Sequence, residues 1–176
     1  MTEKKKIILF CLFAFLFISI FGSISHFFYD WSNNNKFIGF LFPANESTWE
    51  HLKLALFPTF AYFFIGSIFF KNPNYLFALF ITLLTPMILI PLIFYSYTAF
   101  TGNSILFIDI LSYFLSVSLA CYFCYIILIH KPLGKTTNVI SIIGISIILI
   151  CYLTFTIYPP KTFLFKDPLS NKYGLI

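Results

Sequence analysis

Between Pro43 and Leu54 the chain reads Pro-Ala-Asn-Glu-Ser-Thr-Trp-Glu-His-Leu-Lys-Leu, which gathers Glu46, Glu50, His51 and Lys53 into one short stretch. On a continuous helix Glu46, Glu50 and Lys53, spaced by four and three, share one face, with His51 about 100° around the axis from Glu50. Two carboxylates a turn apart at a membrane entrance can hold a cation or exchange a proton. The same letters have a structural reading. Ser47-Thr-Trp-Glu50 is a capping box, in which Ser47 caps the helix and Glu50 reaches back to its backbone. Asn45 is the competing cap, and Glu50 with Lys53 then form a plain ion pair.

His26 closes one apolar run and His51 opens the next. Neighbouring helices bring such residues together, and with Glu46, Glu50 or Asp109 they make a His/carboxylate set suited to zinc or another divalent metal. The competing reading has each histidine snorkelling at the headgroup level. Asp109 lies about a turn inside a later apolar run. A carboxylate there implies a partner, and Lys53 or His51 across the bundle are the candidates. Otherwise it is an acid stabilised near a helix N-terminus. Glu50 and Asp109 are the candidate proton-transfer residues. Glu46, Lys53 and Asp167 are candidate binding residues, and His26 and His51 are candidate metal ligands. Cys121-Tyr-Phe-Cys124 is a C-x-x-C pair. Deep in an apolar run it lacks the electropositive, accessible setting of a redox site. It reads as buried filler, as do Cys11 and Cys151, and no structural disulfide is expected. No phosphate loop or nucleophile-elbow motif stands out.

The elements that must position these residues are membrane spans. Apolar residues make up 60% of the chain and charged residues 10%, against roughly half and a quarter in soluble domains. The net charge of +5 comes from lysine alone. Without arginine there is no bidentate donor for phosphate, and the lysines are scattered at the ends of apolar runs. This excludes a nucleic-acid site and points to membrane topology. The expectation is an all-α polytopic bundle forming one domain over 1–176, with spans near 7–26, 52–70, 75–97, 105–129 and 139–158. A run of about 20 apolar residues crosses the bilayer. The rival for the first is a cleaved signal peptide, with Ser23 and Ser25 at a cleavage-like spacing. Phe37–Phe42, inside the connection 27–51, is too short to span and reads as interfacial or re-entrant. Pro86 and Pro91 predict a kink in the third span.

The lysines set the orientation. With the N-terminus cytoplasmic, Lys4, Lys5, Lys6, Lys71, Lys131 and Lys135 lie inside and the tail 159–176 outside. The expectation is N-in, C-out, in a bacterial cytoplasmic membrane; the bacterial source is read from the abundance of Phe, Ile and Asn. Every acid except Glu3 then falls on the outer side, together with His26 and His51. Tyr29, Trp31, Trp49, Tyr95, Tyr97 and Tyr158 are expected to form an outer aromatic belt.

The stretch Phe42–Leu54, with Tyr97-Thr98, Gly102 and Asp109, then Tyr158-Pro159-Pro160, Asp167-Pro168 and Tyr173-Gly174, resembles a family of small bacterial multi-pass membrane proteins of unknown function. That resemblance implies a multi-span bundle with an outer polar set and imports no activity. A second likeness, carried by Ser47-x-x-x-His51 and the intramembrane Asp109, is to the seven-span alkaline ceramidases and adiponectin-type receptors. It implies a zinc-dependent hydrolase whose site is completed by a late His-x-x-x-His. This sequence has five apolar runs and no such pair.

Three functions follow as expectations. One is an outward-facing His/carboxylate site for a cation, divalent metal or lipid headgroup. Another is a metal-dependent lipid hydrolase within the membrane. The third is a non-catalytic subunit or small transporter, in which the polar stretch serves packing. The lipid bilayer is the expected partner in each.

Overall fold

A computed structural model describes residues 2–175, and among these the chain is helical with no named strand. In chain order the helices are α1 (Glu3–Ser25), α2 (Phe28–Trp31), α3 (Lys36–Leu41), α4 (Thr48–His51), α5 (Lys53–Phe69), α6 (Tyr75–Thr101), α7 (Leu106–Ile129) and α8 (Lys135–Ile157). A short 3₁₀ turn, Phe163–Phe165, lies in the tail. Five segments are long and apolar enough to cross a membrane: α1, α4 with α5 (Thr48–Phe69), α6, α7 and α8. Fewer than half of the residues in each of their apolar windows are buried, and many large apolar side chains are exposed, as a lipid solvent requires.

The helices start and stop where polar chemistry allows. α1 begins a turn before its apolar run because Thr2 accepts the amide of Lys5. α6 runs through Pro86 and Pro91, and on past Tyr97 to Thr101. Gly102 stops it in the left-handed region at φ +73°, where a Cβ would be strained. At the opposite end of the bundle Asn74 is buried. Its amide nitrogen donates to the carbonyls of Ile127, His130 and Lys131, capping α7.

α6 and α7 form the most extensive pairing, α1 packs on α5 and α7, and α8 packs on α6. One core patch joins Ala14, Ile18, Leu54, Leu83, Tyr113, Val117 and Tyr152. A second joins Ile7, Cys11, Phe63, Ala78 and Cys124. Cys11 Sγ lies 3.7 Å from Cys124 Sγ. The Tyr113 hydroxyl donates to the Ile18 carbonyl at 2.7 Å and lies 3.2 Å from that of Leu54. That one side chain ties α7 to α1 and α5 near the end where the polar residues collect.

The connection and tail form a cap on that end. The tail folds back over α4: Phe165 packs on Trp49 with ring centroids 4.8 Å apart, and the Leu175 amide donates to the Thr156 carbonyl. Trp49 also stacks on Tyr152 at 4.5 Å. This corrects the aromatic belt. Trp49 and Tyr29 are buried, because the cap supplies protein where a belt residue would meet headgroups, while Trp31 and Tyr158 remain exposed.

Candidate functional site

Helix α4 starts at Thr48, and that boundary decides how the polar stretch is divided. Ser47 is the N-cap, its hydroxyl accepting the Glu50 amide at 3.4 Å. Glu46 therefore lies before the helix, in a bend of the chain, where it cannot share a helical face with Glu50 and Lys53. The expected three-residue face is replaced by two separate groups.

The first group is structural. Lys53 Nζ lies 2.7 Å from Glu50 Oε2 and donates to the Gly39 carbonyl at 2.7 Å. Glu50 Oε2 also accepts the Ala44 amide at 2.9 Å. Both side chains are buried. Only half of the capping box forms. Glu50 reaches past the Ser47 amide, which Asn45 Oδ1 holds instead at 2.9 Å. The pair thus pins α3 and the strand-like chain after it to the head of α5.

The second group faces a cavity. Glu46, His26 and His51 place one ligand atom each within 4.8 Å of one another. His26 Nε2 is 3.2 Å from His51 Nε2. Glu46 Oε2 is 3.3 Å from His51 Nε2, and Glu46 Oε1 is 3.8 Å from His26 Nε2. Nitrogen and oxygen ligands sit 2.0–2.2 Å from zinc, so the edge of a tetrahedral shell is about 3.3 Å. The His26–His51 and His51–Glu46 Oε2 separations match that edge, while the carboxylate oxygen 3.8 Å from His26 is the other one, Oε1.

His51 Nδ1 donates to the Ser47 carbonyl at 3.0 Å, which turns Nε2 towards Glu46 and His26. Burial, and then the neighbouring His51, hold the His26 imidazole below its ordinary pKa, so it stays neutral at neutral pH. The hydrogen bond with His51 holds Glu46 below the usual carboxylate range, against the effect of burial. His26 and Glu46 are thus in the forms that bind metal, whereas ligation by His51 requires loss of the proton it donates to Glu46.

The cavity beside this triad measures about 750 Å³, within the roughly 300–1,000 Å³ of small-molecule sites. His26, Glu46, Thr48 and His51 line one part of it, Asp109 another, and Leu54, Ile90, Phe94, Leu106 and Phe114 supply apolar wall. Pro168 and Leu169 of the tail also line it. Asp109 finds neither Lys53 nor His51 as its expected partner. Lys53 is committed to Glu50, and the Tyr97 hydroxyl donates to Asp109 Oδ1 instead. Glu50 is not among the lining residues, so the two candidate proton-transfer residues are separated.

Asp167 is buried and does local work. Its carboxylate accepts the Leu169 amide and the Ser170 amide and hydroxyl. Burial pushes its pKa up, but these bonds and the Glu46 amide outweigh it and hold the carboxyl below its ordinary range. Through that amide the tail braces the residue that carries Glu46. Asn45 adds a second tie, donating to the Gly174 carbonyl at 2.8 Å.

A family model described as a family of unknown function, DUF6512, matches residues 1–175. The chain belongs to this family. The match extends over all five candidate spans, the cap and the tail, so the site described here lies wholly inside the family region. No curated protein and no solved structure matches the chain.

Sequence reasoning missed several contributors. Tyr97 has a readable signal, since it and Asp109 are equally far from Asn103 in the turn between α6 and α7, and helices of a hairpin place such positions side by side. The Ser47 carbonyl that orients His51 has none, because a backbone acceptor carries no residue type.

Proposed function

We propose that this protein is a membrane metalloprotein that holds a divalent transition ion, most compatible with zinc, on His26, Glu46 and His51. The carrying observation is the match between the ligand-atom separations, 3.2 and 3.3 Å, and the edge of a tetrahedral zinc shell. Three protein ligands, two imidazoles and one carboxylate, are the pattern of catalytic zinc, which keeps a fourth position for water or substrate. Such an ion supplies Lewis acidity and lowers the pKa of bound water towards neutrality. With a largely apolar cavity at hand, the reading extends to hydrolysis of a lipid-soluble substrate. Glu50 is left out of that chemistry and serves the fold. The lysine distribution favours a non-cytoplasmic location for the site.

A second reading rests on the same 3.2 Å, which is also a hydrogen-bond distance. The imidazoles then share a proton beside Glu46, and the cluster ties α1 to α4 without metal.

Elemental analysis of detergent-purified protein decides between them. The metal reading expects about one equivalent of zinc or a like ion per chain. It also expects loss of that ion in His51→Ala and Glu46→Gln, and a fall in thermal stability with chelator that added zinc restores. Metal-free protein after expression in zinc-supplemented medium, with no thermal shift on adding divalent ions, overturns it in favour of the proton-sharing cluster.

A further inference from the structure

Most hydroxyls in the cavity wall have committed their protons elsewhere. Ser23 donates to the Ser19 carbonyl at 2.8 Å, Ser112 to the Asp109 carbonyl at 2.7 Å, and Tyr113 to the Ile18 carbonyl. The Thr48 hydroxyl is engaged with that of Tyr95 at 3.0 Å. A hydroxyl that donates still keeps lone pairs. Asp109 adds to them, since Tyr97 donates to Oδ1 while Oδ2 has no bond among the described residues. The wall therefore offers mainly acceptors, and the exposed Ser104 is its one hydroxyl without a partner among the described residues. Charge sets a second constraint. A divalent ion on the triad is balanced by Glu46 and Asp109, one charge each, and among the described residues no lysine lines the cavity. Access sets a third. Ile110 and Phe114 line the cavity from within a span and are exposed, as are Ser23 and Phe27 at the end of α1. α1 and α7 touch beside them, where Gly22 lies against the Tyr113 hydroxyl. An exposed apolar side chain within a span faces lipid, so lipid borders the cavity along this seam.

We infer that the cavity takes from the bilayer a lipid whose head is uncharged and carries hydroxyl groups. The hydroxyls donate to Asp109 Oδ2 and the wall oxygens, and the chain lies against Ile90, Phe94, Ile110 and Phe114. This deepens the metal reading and rests on it for the neutrality of the site, whereas the commitment of the wall hydroxyls does not depend on the ion. An anionic head adds a negative charge beside Asp109, with no lysine or arginine to meet it. An ammonium head adds a positive charge to a site already balanced. Either charge is left uncompensated beside apolar wall, at a cost in free energy. A head with acceptors alone finds few donors here, and an unmatched acceptor taken out of water weakens binding. A hydroxylated head supplies the donors that the wall lacks. Asp109 is here a binding residue. Tyr97 positions it by holding Oδ1, which leaves Oδ2 for the ligand.

The test uses full-length protein in phosphatidylcholine vesicles, with metal content measured on every sample. The probe is the hexadecyl ether of glycerol with a photoreactive diazirine in its chain, and its ether bond withstands an esterase. Unlabelled hexadecyl glyceryl ether, hexadecylamine, hexadecyl phosphate and free glycerol compete with it on wild type and Asp109→Asn. The expected result is saturable labelling of cavity-lining residues, competed about tenfold better by the glyceryl ether than by the amine or the phosphate, and not by glycerol. In Asp109→Asn the Tyr97 hydroxyl keeps the amide oxygen, the amide nitrogen faces the ligand in place of an acceptor, and the preference is lost. Equal competition by the three amphiphiles, stronger competition by the amine or the phosphate, competition by glycerol, or a preference unchanged in folded Asp109→Asn overturns the inference. The comparison of heads is complete on wild type, so it decides the matter should Asp109→Asn not fold. Metal present without head selectivity sinks this inference and leaves the metal site standing. Head selectivity in a metal-free wild type sinks the metal reading alone.

Discussion

Lys53→Met separates the fold from the site more sharply than any other single change. The substitution keeps the length of the side chain and removes its charge. Glu50 then stays buried with only the Ala44 amide at 2.9 Å, and the Gly39 carbonyl loses its donor at 2.7 Å. At 2.7 Å the ion pair is worth about 6 kcal/mol of Coulomb energy with an effective dielectric constant of ~20. Much of that is cancelled by the desolvation of both charges, so the pair as a whole adds little net stability. Removing one partner is different, because the desolvation of the other is then uncompensated, at a cost of about 3–5 kcal/mol. For a chain of this size that corresponds to a fall in melting temperature on the order of 10 °C. Replacing both, as Glu50→Gln with Lys53→Met, leaves two neutral groups and is expected to recover at least half of the loss.

The assay is built into the chain. Cys11, Cys121 and Cys124 are buried, so a thiol-reactive dye reports their exposure on heating in mild detergent. Metal content measured on the same samples is expected to stay at the wild-type level, because neither Lys53 nor Glu50 touches the triad. A Lys53→Met protein within about 1 kcal/mol of wild type, or a double variant as unstable as the sum of the singles, refutes the assignment of this pair. Loss of metal from folded Lys53→Met refutes the separation of the two groups.

Two further changes probe the frame around the site. A Cβ at Gly22 would run into the Tyr113 hydroxyl and the Leu54 carbonyl, so Gly22→Ala forces α1 away from α5 and α7, at about 1–3 kcal/mol, read in the same thiol assay. Asp167→Asn weakens the bracing of the tail, and its effect depends on pH. The folded pKa of Asp167 is lowered, so its contribution is complete above the unfolded value, about 3.9, and is lost as pH falls through the folded one. Wild type and variant should therefore differ in melting temperature at pH 7 and converge towards pH 3; a constant gap across that range would show that charge is not the cause.

Spans and site were unequally legible in the sequence. The long helices follow from apolar runs whose length has one physical use, although lysines and capping residues extend α1 and α8 by a turn beyond them. His26 and His51 were readable as neighbours because each stands at the facing end of consecutive antiparallel spans. Their third neighbour was not, because Glu46 and Glu50 are the same residue type four apart and only the position of the N-cap distinguishes them. Asn45, Ser47 and Thr48 all favour that role by type. The choice falls to Ser47 because Asn45 is drawn into bonds with the Ser47 amide and with Gly174, 129 residues away. A contact of that range carries no local signal. Trp49 was misplaced for the same reason, since the tail that buries it arrives from Phe165.

The placement of the N-cap also explains why so many polar residues crowd into one stretch. From Thr48 onward, positions 48, 51 and 54 line the cavity, whereas 49, 50 and 53 turn into the protein. Trp49 receives the tail, and Glu50 and Lys53 receive the connection through Ala44 and Gly39. One turn of helix thus fixes, from behind, the two chain segments that bear on the site. The connection delivers Glu46, and the tail delivers Pro168, Leu169 and the carboxylate that holds the Glu46 amide. Ligation by Glu46 needs its carboxylate held in a fixed position beside the two imidazoles, yet it lies in a bend with no helix of its own to hold it. Rigidity must come from neighbours. The Asp167 carboxylate on the Glu46 amide and the Asn45 bond to the Gly174 carbonyl supply it, while the buried ion pair ties the connection to the head of α5 at little net gain in stability.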